Sequence, residues 1–328
     1  MAGDIPPLAE VRRITEKKRD AWWTVLLVDP VATPLVRWTA LRAPGVTPNG
    51  ITWFALFLGL AAAGCFASGS PGWLLAGAAL YHASFVLDCM DGKLARLTGT
   101  GSVFGAWLDY VFDRVRVLAC AVALMGGQFV RTGDVVHLWL ALAVVFLDML
   151  RYIDALQIFK IRHGMRAQIK ARVREARRAE DIGELAFMED LLRSNPEADL
   201  DADRTVADPA PGSGTAEEAE PGPRPLAPVL SLRGGGNVVD LHEEFRHRFP
   251  WYIRFRSLLL RRRIRTHLVS GIEFQMAVFI VAPALDAVIP VTVGAGALLL
   301  LFELAIIYKL LLSTRDFGRA MKSFERAA

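Results

Sequence analysis

The chain has 328 residues, 53% of them hydrophobic, and a formal net charge of +4; its mean hydropathy is +0.32 and its pI about 9.1. Ordinary soluble domains have an apolar share of about 45–50% even with glycine counted, so a soluble enzyme is excluded. No basic patch belongs to a separate folded module. The positive charge therefore reads as a topology and anionic-lipid signal, with no nucleic-acid partner expected.

Residues 1–44 form a polar start followed by "DAWWTVLLVDPVATPLVRWTALR" at 20–42. This stretch is apolar but interrupted by Pro30 and Pro34, and it carries Trp22, Trp23 and Trp38, residues that favour headgroup depth. An N-terminal interfacial helix is expected there rather than a membrane span. The charged N-terminus lacks a signal-peptide pattern, so the first span is expected to direct insertion. Thr47, before Pro48 and Asn49, is a candidate N-cap for that span.

The apolar excess is concentrated in blocks at 50–68, 72–90, 104–127, 135–157, 268–289 and 291–312. Each is close to the ~20 residues that carry a helix across a ~30 Å hydrocarbon core. Period-2 alternation is absent, so strands are not expected. The predicted fold class is an all-α integral membrane protein with six transmembrane helices and the interfacial helix. Lys and Arg crowd 11–19, 160–178, 246–265 and 309–326, whereas the connections at 69–71, 128–134 and 286–290 hold only Arg131 between them. The positive-inside rule then makes both termini and the connection 91–104 cytoplasmic, in a multi-pass topology.

The expected organisation is 1–44 cytoplasmic with the interfacial helix, 45–159 holding helices one to four, 160–266 a cytoplasmic insertion, 267–313 holding helices five and six, and 314–328 a cytoplasmic tail. Within the insertion, 193–234 is acidic, rich in Pro, Gly and Ala, and without aromatics. It cannot bury enough apolar surface to offset chain entropy and is expected to be largely disordered. Cys65, Cys89 and Cys120 show no metal or redox spacing and read as small apolar fillers.

Residues 88–113, "DCMDGKLARLTGTGSVFGAWLDYVFD", concentrate the chemistry. Asp88 and Asp91 are three apart at the end of the second expected span; Asp109 and Asp113 are four apart at the start of the third. Those spacings put each pair on one helical face, and the short connection makes the helices antiparallel neighbours. Clustered carboxylates at the edge of a low-dielectric region repel one another and resist desolvation. They either protonate or bind cations, and hard divalent ions such as Mg²⁺ or Mn²⁺ suit oxygen ligands. Gly92 and Gly105 leave room for close approach. Lys93 and Arg96 add positive charge, which points to a substrate carrying phosphate. Metal, phosphate and ordered carboxylates together describe a phosphoryl-transfer site.

Acids that merely solvate a turn would fix no wider pattern. Here Asp88, Asp91, Gly92, Ala95, Arg96, Gly105, Asp109 and Asp113 form D-x2-D-G-x2-A-R-x8-G-x3-D-x3-D. At ordinary residue frequencies, eight such positions coincide roughly once in a million chains or less. The pattern resembles the signature of the CDP-alcohol phosphotransferase (phosphatidyltransferase) family, over about 45–157 and 267–312 but not the insertion.

The resemblance implies a six-helix membrane enzyme of phospholipid biosynthesis, generally a homodimer, with a polar cavity open to the cytoplasm. Such an enzyme transfers a phosphate-linked alcohol from a CDP-alcohol to a hydroxyl and releases CMP. It implies Asp88, Asp91, Asp109 and Asp113 as ligands of two Mg²⁺ or Mn²⁺ ions, with Asp113 also the catalytic base. It implies Gly92, Ala95 and Arg96 at the CDP site, and Thr47, Pro48 and Asn49 near the cytidine by a looser match. "SVFGAWLDYVFDRVR" further resembles the phosphatidylinositol-phosphate synthase branch, where Arg directly follows the last Asp, although Tyr110 stands where that branch has Ser. Arg114, Arg116 and Arg151 then become an expected cationic pocket for a phosphorylated acceptor.

The expected reaction joins CDP-diacylglycerol to a phosphorylated polyol such as inositol phosphate. The alternatives are a soluble CDP-alcohol with a lipid acceptor, or glycerol phosphate as acceptor. A divalent-cation or proton-coupled transporter is the reading from another class, but it favours charges near the midplane and broken helices. Asp148, Arg151 and Asp154, spaced by three, are expected to form an ion-pair ladder.

Overall fold

The computed structural model describes residues 5–177, 185–187, 229–231, 237–239, 245 and 248–327. It is almost entirely helical. After α1 (Leu8–Thr15), a π-turn at Thr24–Val28 leads into α2 (Asp29–Arg42). Pro30 sits in the first turn of α2, where its missing N–H is harmless, and Pro34 lies inside the helix. Val28, Ala32 and Val36 of this stretch are buried while Leu27, Val31, Leu35 and Trp38 are exposed. One face thus packs on the protein and the other remains apolar, as an interfacial helix requires.

Then follow α3 (Pro48–Ala67), α4 (Pro71–Thr98), α5 (Val103–Thr132), α6 (Val136–Arg177), α7 (Pro250–Arg261), α8 (Gly271–Met276) and α9 (Val288–Ala327). A π-turn at Ala277–Val281 and a helical turn at Ala282–Ala284 continue α8. Thr47 caps α3 as expected, its Oγ1 accepting the Gly50 N–H at 3.1 Å. Ser102 does the same for α5, accepting from Gly105 N–H at 2.9 Å. Gly99 ends α4 with φ 67°, a left-handed conformation that costs glycine nothing.

Among the described residues, four helices are long and apolar enough to cross a membrane: α3, α4, α6 and α9. They contain the expected spans 50–68, 72–90, 135–157 and 291–312. The expected span 104–127 lies in α5, a 30-residue helix that carries Asp109, Asp113, Arg114 and Arg116. The expected span 268–289 corresponds to a shorter apolar helix, Gly271–Ala284, whose hydrogen-bond ladder is interrupted by the π-turn. Trp53, Phe54, Phe57 and Leu60 are exposed on α3, a surface suited to lipid rather than water.

Contacts divide the chain into two compact units, one of residues 1–153 and 263–302, the other of 154–262 and 303–328. In the first, α3 packs against both α4 and α5, around a core of Phe66, Leu74, Tyr81, Leu124, Met125 and Phe279. Gly127 sets the closeness of α3 and α5, since a Cβ there would lie 2.4 Å from the Phe66 carbonyl oxygen. In the second unit, strands β1 (Leu185–Phe187), β2 (Val229–Ser231) and β3 (Asn237–Val239) form a small sheet in the order β1-β3-β2. These three-residue strands are the departure from the all-α expectation. The rest of the stretch expected to be disordered, 193–234, lies outside the described residues.

Candidate active site

The site is built where α3, α4 and α5 meet in the first unit. Asp88 and Asp91 come from the last turns of α4, and Asp109 from the second turn of α5. One carboxylate oxygen from each lies within 4.8 Å of the other two. Opposite ligands of an octahedral Mg²⁺ stand about 4.2 Å apart, twice the ~2.1 Å metal–oxygen distance. Oxygen donors at this spacing therefore fit one hard divalent cation after a slight contraction. All four acids were expected to cluster; the structure brings Asp88, Asp91 and Asp109, from two antiparallel helices, within 4.8 Å of one another, and Asp113 is not in the group.

Asp113 takes a different position. Its Oδ1 accepts from Arg116 Nη2 at 2.6 Å, and its Oδ2 accepts from Arg114. Each carboxylate offers about four lone-pair sites, so both oxygens keep acceptor capacity.

Beside the cluster lies a cleft of about 320 Å³ lined by Pro48, Asn49, Thr52, Asp91, Gly92, Ala95, Arg96, Ser102, Gly105 and Asp109, among others. That volume falls in the range of small-molecule sites. Five of the residues expected at the nucleotide, Pro48, Asn49, Gly92, Ala95 and Arg96, share this wall with two of the acids. Thr47 does not line it; its hydroxyl is spent on the helix cap.

Arg96 is exposed, and its Nε donates to the Thr15 carbonyl at 3.0 Å. Its Nη1 lies 3.6 Å from where a Gly92 Cβ would stand, so the fork rests over the glycine at the cleft wall. Asn49 Oδ1 would be 2.9 Å from a Cβ on Gly105. Glycine at that position lets α5 approach the start of α3.

Lys93 departs from expectation. It is buried, with Nζ bonded to Asp29 Oδ1 at 2.7 Å and Thr33 Oγ1 at 3.0 Å. Two residues beyond Asp91, it projects about 200° round the helix and meets α2 instead of the cleft. Arg263 joins the same group, reaching Glu16 at 2.5 Å and Asp29 at 3.3 Å. The positive charge of Lys93 thus secures the N-terminal segment.

Asp148, expected in a ladder with Arg151 and Asp154, has partners on other helices. Asp148 pairs with Arg114 and accepts from Gln275 Nε2 at 2.8 Å. Arg114 further lies over the Tyr152 ring at 5.6 Å, and Tyr152 stacks on Tyr110 at 4.5 Å. Of the three arginines expected around a phosphorylated acceptor, Arg114 and Arg116 direct their guanidinium groups at carboxylates of the protein. Arg151 stands with its Cγ 3.7 Å from a Cβ position on Gly271, at the start of α8.

Two residues were not anticipated from sequence. Thr52 donates from Oγ1 to Asp91 Oδ2 at 2.5 Å; it sits four residues after Pro48, on the face that lines the cleft, and that spacing was the available signal. Ser102 both caps α5 and lines the cleft, and a Ser directly before the first helical residue is a legible cap.

Comparison with known proteins agrees with this geometry. Residues 45–176 match the family model for CDP-alcohol phosphatidyltransferase. The chain is 37% identical over 91 residues to an archaetidylinositol phosphate synthase of Pyrococcus horikoshii, covering 28% of this chain and 47% of that protein. It is 33% identical over 102 residues to an archaetidylinositol phosphate synthase of Methanothermobacter thermautotrophicus, covering 31% and 46%. The chain spans about half the length of the curated relatives it matches. The matched segment contains every acid of the cluster and every residue of the cleft wall named above, and over it the chain is similar to the CDP-alcohol phosphatidyltransferase family.

Proposed function

We propose that this protein is a membrane transferase of phospholipid synthesis that forms a phosphodiester from a CDP-alcohol and releases CMP. The observation that carries the reading is the convergence of Asp88, Asp91 and Asp109 within 4.8 Å beside a cleft that Asp91, Asp109, Gly92 and Arg96 help to line. A transporter needs a path; what the acids adjoin here is a cleft whose wall carries Arg96.

In this reading Asp88, Asp91 and Asp109 hold Mg²⁺ or Mn²⁺, and Asp113 completes a site for a second ion. Bound divalent ions supply charge neutralisation of the diphosphate and stabilise the attacking and leaving oxygens. The protein does the rest. Arg96 pairs with the diphosphate, and Gly92 lets the phosphates approach the α4 backbone. Pro48 and Asn49 bound the nucleoside end of the cleft. Asp113 takes the proton of the acceptor hydroxyl, which must lie within about 3 Å of it. The acceptor oxygen bonds to the phosphorus bearing the alcohol as the bond from that phosphorus to the CMP oxygen breaks.

CDP-diacylglycerol, or its ether-lipid counterpart, with inositol phosphate is the preferred substrate pair. Two named relatives are archaetidylinositol phosphate synthases, and Arg114 directly follows Asp113. The Lys and Arg distribution supports six spans with the active site and both termini cytoplasmic, and the family resemblance supports a homodimer. The test is to incubate membranes containing the protein with Mg²⁺ or Mn²⁺, labelled CDP-alcohol and a panel of alcohols. CMP release dependent on inositol phosphate is expected. Absence of CMP with every CDP-alcohol, with divalent-cation uptake into vesicles, would refute the transferase reading.

A further inference from the structure

Arg116 is the largest fully buried side chain in the described structure, 1% exposed, and it does not line the cleft. A guanidinium taken out of water costs several kcal/mol unless its partners compensate. Here they come from two helices. Nη1 donates to Asp88 Oδ1 at 3.2 Å and to Ser84 Oγ at 3.3 Å, both on α4. Nη2 donates to Asp113 Oδ1 at 2.6 Å, on its own helix α5. Ser84 is itself fixed, donating to the Ala55 carbonyl at 2.6 Å. The guanidinium lies over the Tyr81 ring at 5.8 Å.

The stem is equally constrained. A Cβ on Gly59 of α3 would lie 2.6 Å from Arg116 Cδ and 2.7 Å from Cγ. No heavy atom fits there, so the stem lies directly on the α3 backbone. Gly59, Ser84 and Tyr81 together form a slot that holds the arginine with its fork between Asp88 and Asp113.

We infer that Arg116 is a positioning residue of the metal site: a buried cation that ties Asp88 of α4 to Asp113 of α5 and so sets the separation and facing of the ion-binding carboxylates. This rests on the transferase reading. It differs from a role in gripping a phosphorylated acceptor, which requires access that a side chain 1% exposed lacks. The planar fork meets the two carboxylates through two nitrogens at a fixed separation, whereas a lysine ammonium is a single point charge on a shorter side chain.

The test uses the full chain in lipid nanodiscs, with Mn²⁺ binding read from the EPR signal of the free ion and CMP release measured separately. Outer partners of metal ligands typically contribute about 10–100-fold in metal affinity. Arg116→Lys, which keeps a buried cation, and Gly59→Ala, which leaves Arg116 chemically intact but blocks its slot, are each expected to weaken Mn²⁺ binding by about that factor. At saturating Mn²⁺ the Michaelis constant for the acceptor should stay within about twofold. Arg131→Ala, remote from the site, should bind Mn²⁺ as the wild type does.

Unchanged Mn²⁺ affinity in both slot variants would overturn the inference, and a raised acceptor Michaelis constant in the same variants would make Arg116 a substrate contact. Wild-type protein that neither binds Mn²⁺ nor releases CMP would overturn the transferase reading and this inference together, and is recognisable because the defect precedes any substitution.

Discussion

The acid cluster has two sides that are neutralised in different ways. Toward the protein interior, Asp88 and Asp113 are paired with Arg116, and Asp113 also with Arg114. Toward the cleft, Asp91 receives a hydroxyl from Thr52, and among the described residues neither Asp91 nor Asp109 is paired with a basic side chain. Among these residues the protein pairs its own cations with Asp88 and Asp113 and leaves Asp91 and Asp109 without one. Carboxylates left together at a low-dielectric edge favour an external cation, so the asymmetry locates the open part of the site. Arg96 and Arg116 repeat the lesson. Both come from the motif region, yet one is exposed at the cleft wall and the other is sealed inside.

The largest effects should come from the cleft side. Asp91→Asn or Asp109→Asn removes a charged ligand worth several kcal/mol of transition-state stabilisation, so CMP release is expected to fall about 10³-fold or more. An Asp109→Asn variant within tenfold of wild type would break the comparison. Asp113→Asn should also abolish turnover while leaving CDP binding, measured by calorimetry, largely intact. Equal loss of nucleotide binding would show that Asp113 belongs functionally to the cleft.

Arg96→Ala comes next. A charge-assisted hydrogen bond is worth about 1.5–3 kcal/mol, so the Michaelis constant for the CDP-alcohol should rise about 10–100-fold. Because Nε is held by the Thr15 carbonyl, deleting residues 5–15 should reproduce part of that loss with Arg96 still present. Thr52→Ala should weaken Mn²⁺ binding about tenfold by freeing Asp91, and Thr52→Ser should restore it. Ser102→Ala is the smallest, removing a cap worth about 1 kcal/mol; it should lower thermal stability slightly and leave the Mn²⁺ affinity unchanged.

The convergence of Asp88, Asp91 and Asp109 was legible because i,i+3 and i,i+4 spacing and a short connection determine which faces meet. The cap at Thr47 and the exposed apolar face of residues 27–38 were legible for similarly local reasons. What escaped is long-range. Lys93 lies beside the motif in sequence but bonds to Asp29, 64 residues away. Asp148 bypasses its own helix for Arg114 and Gln275. Nothing in the local pattern distinguishes an arginine bound for a substrate from one bound for a neighbouring carboxylate. That decision rested on Gly59, whose missing side chain makes room for Arg116 from another helix.

The most direct test is to titrate the purified full chain with Mg²⁺ or Mn²⁺ while following CMP release, in the wild type and in Asp91→Asn. Turnover that rises and saturates with added ion, vanishes under chelator, and is missing from the variant at every ion concentration is the predicted result. CMP release that persists in chelator, or that Asp91→Asn leaves intact, would contradict an ion held by these acids.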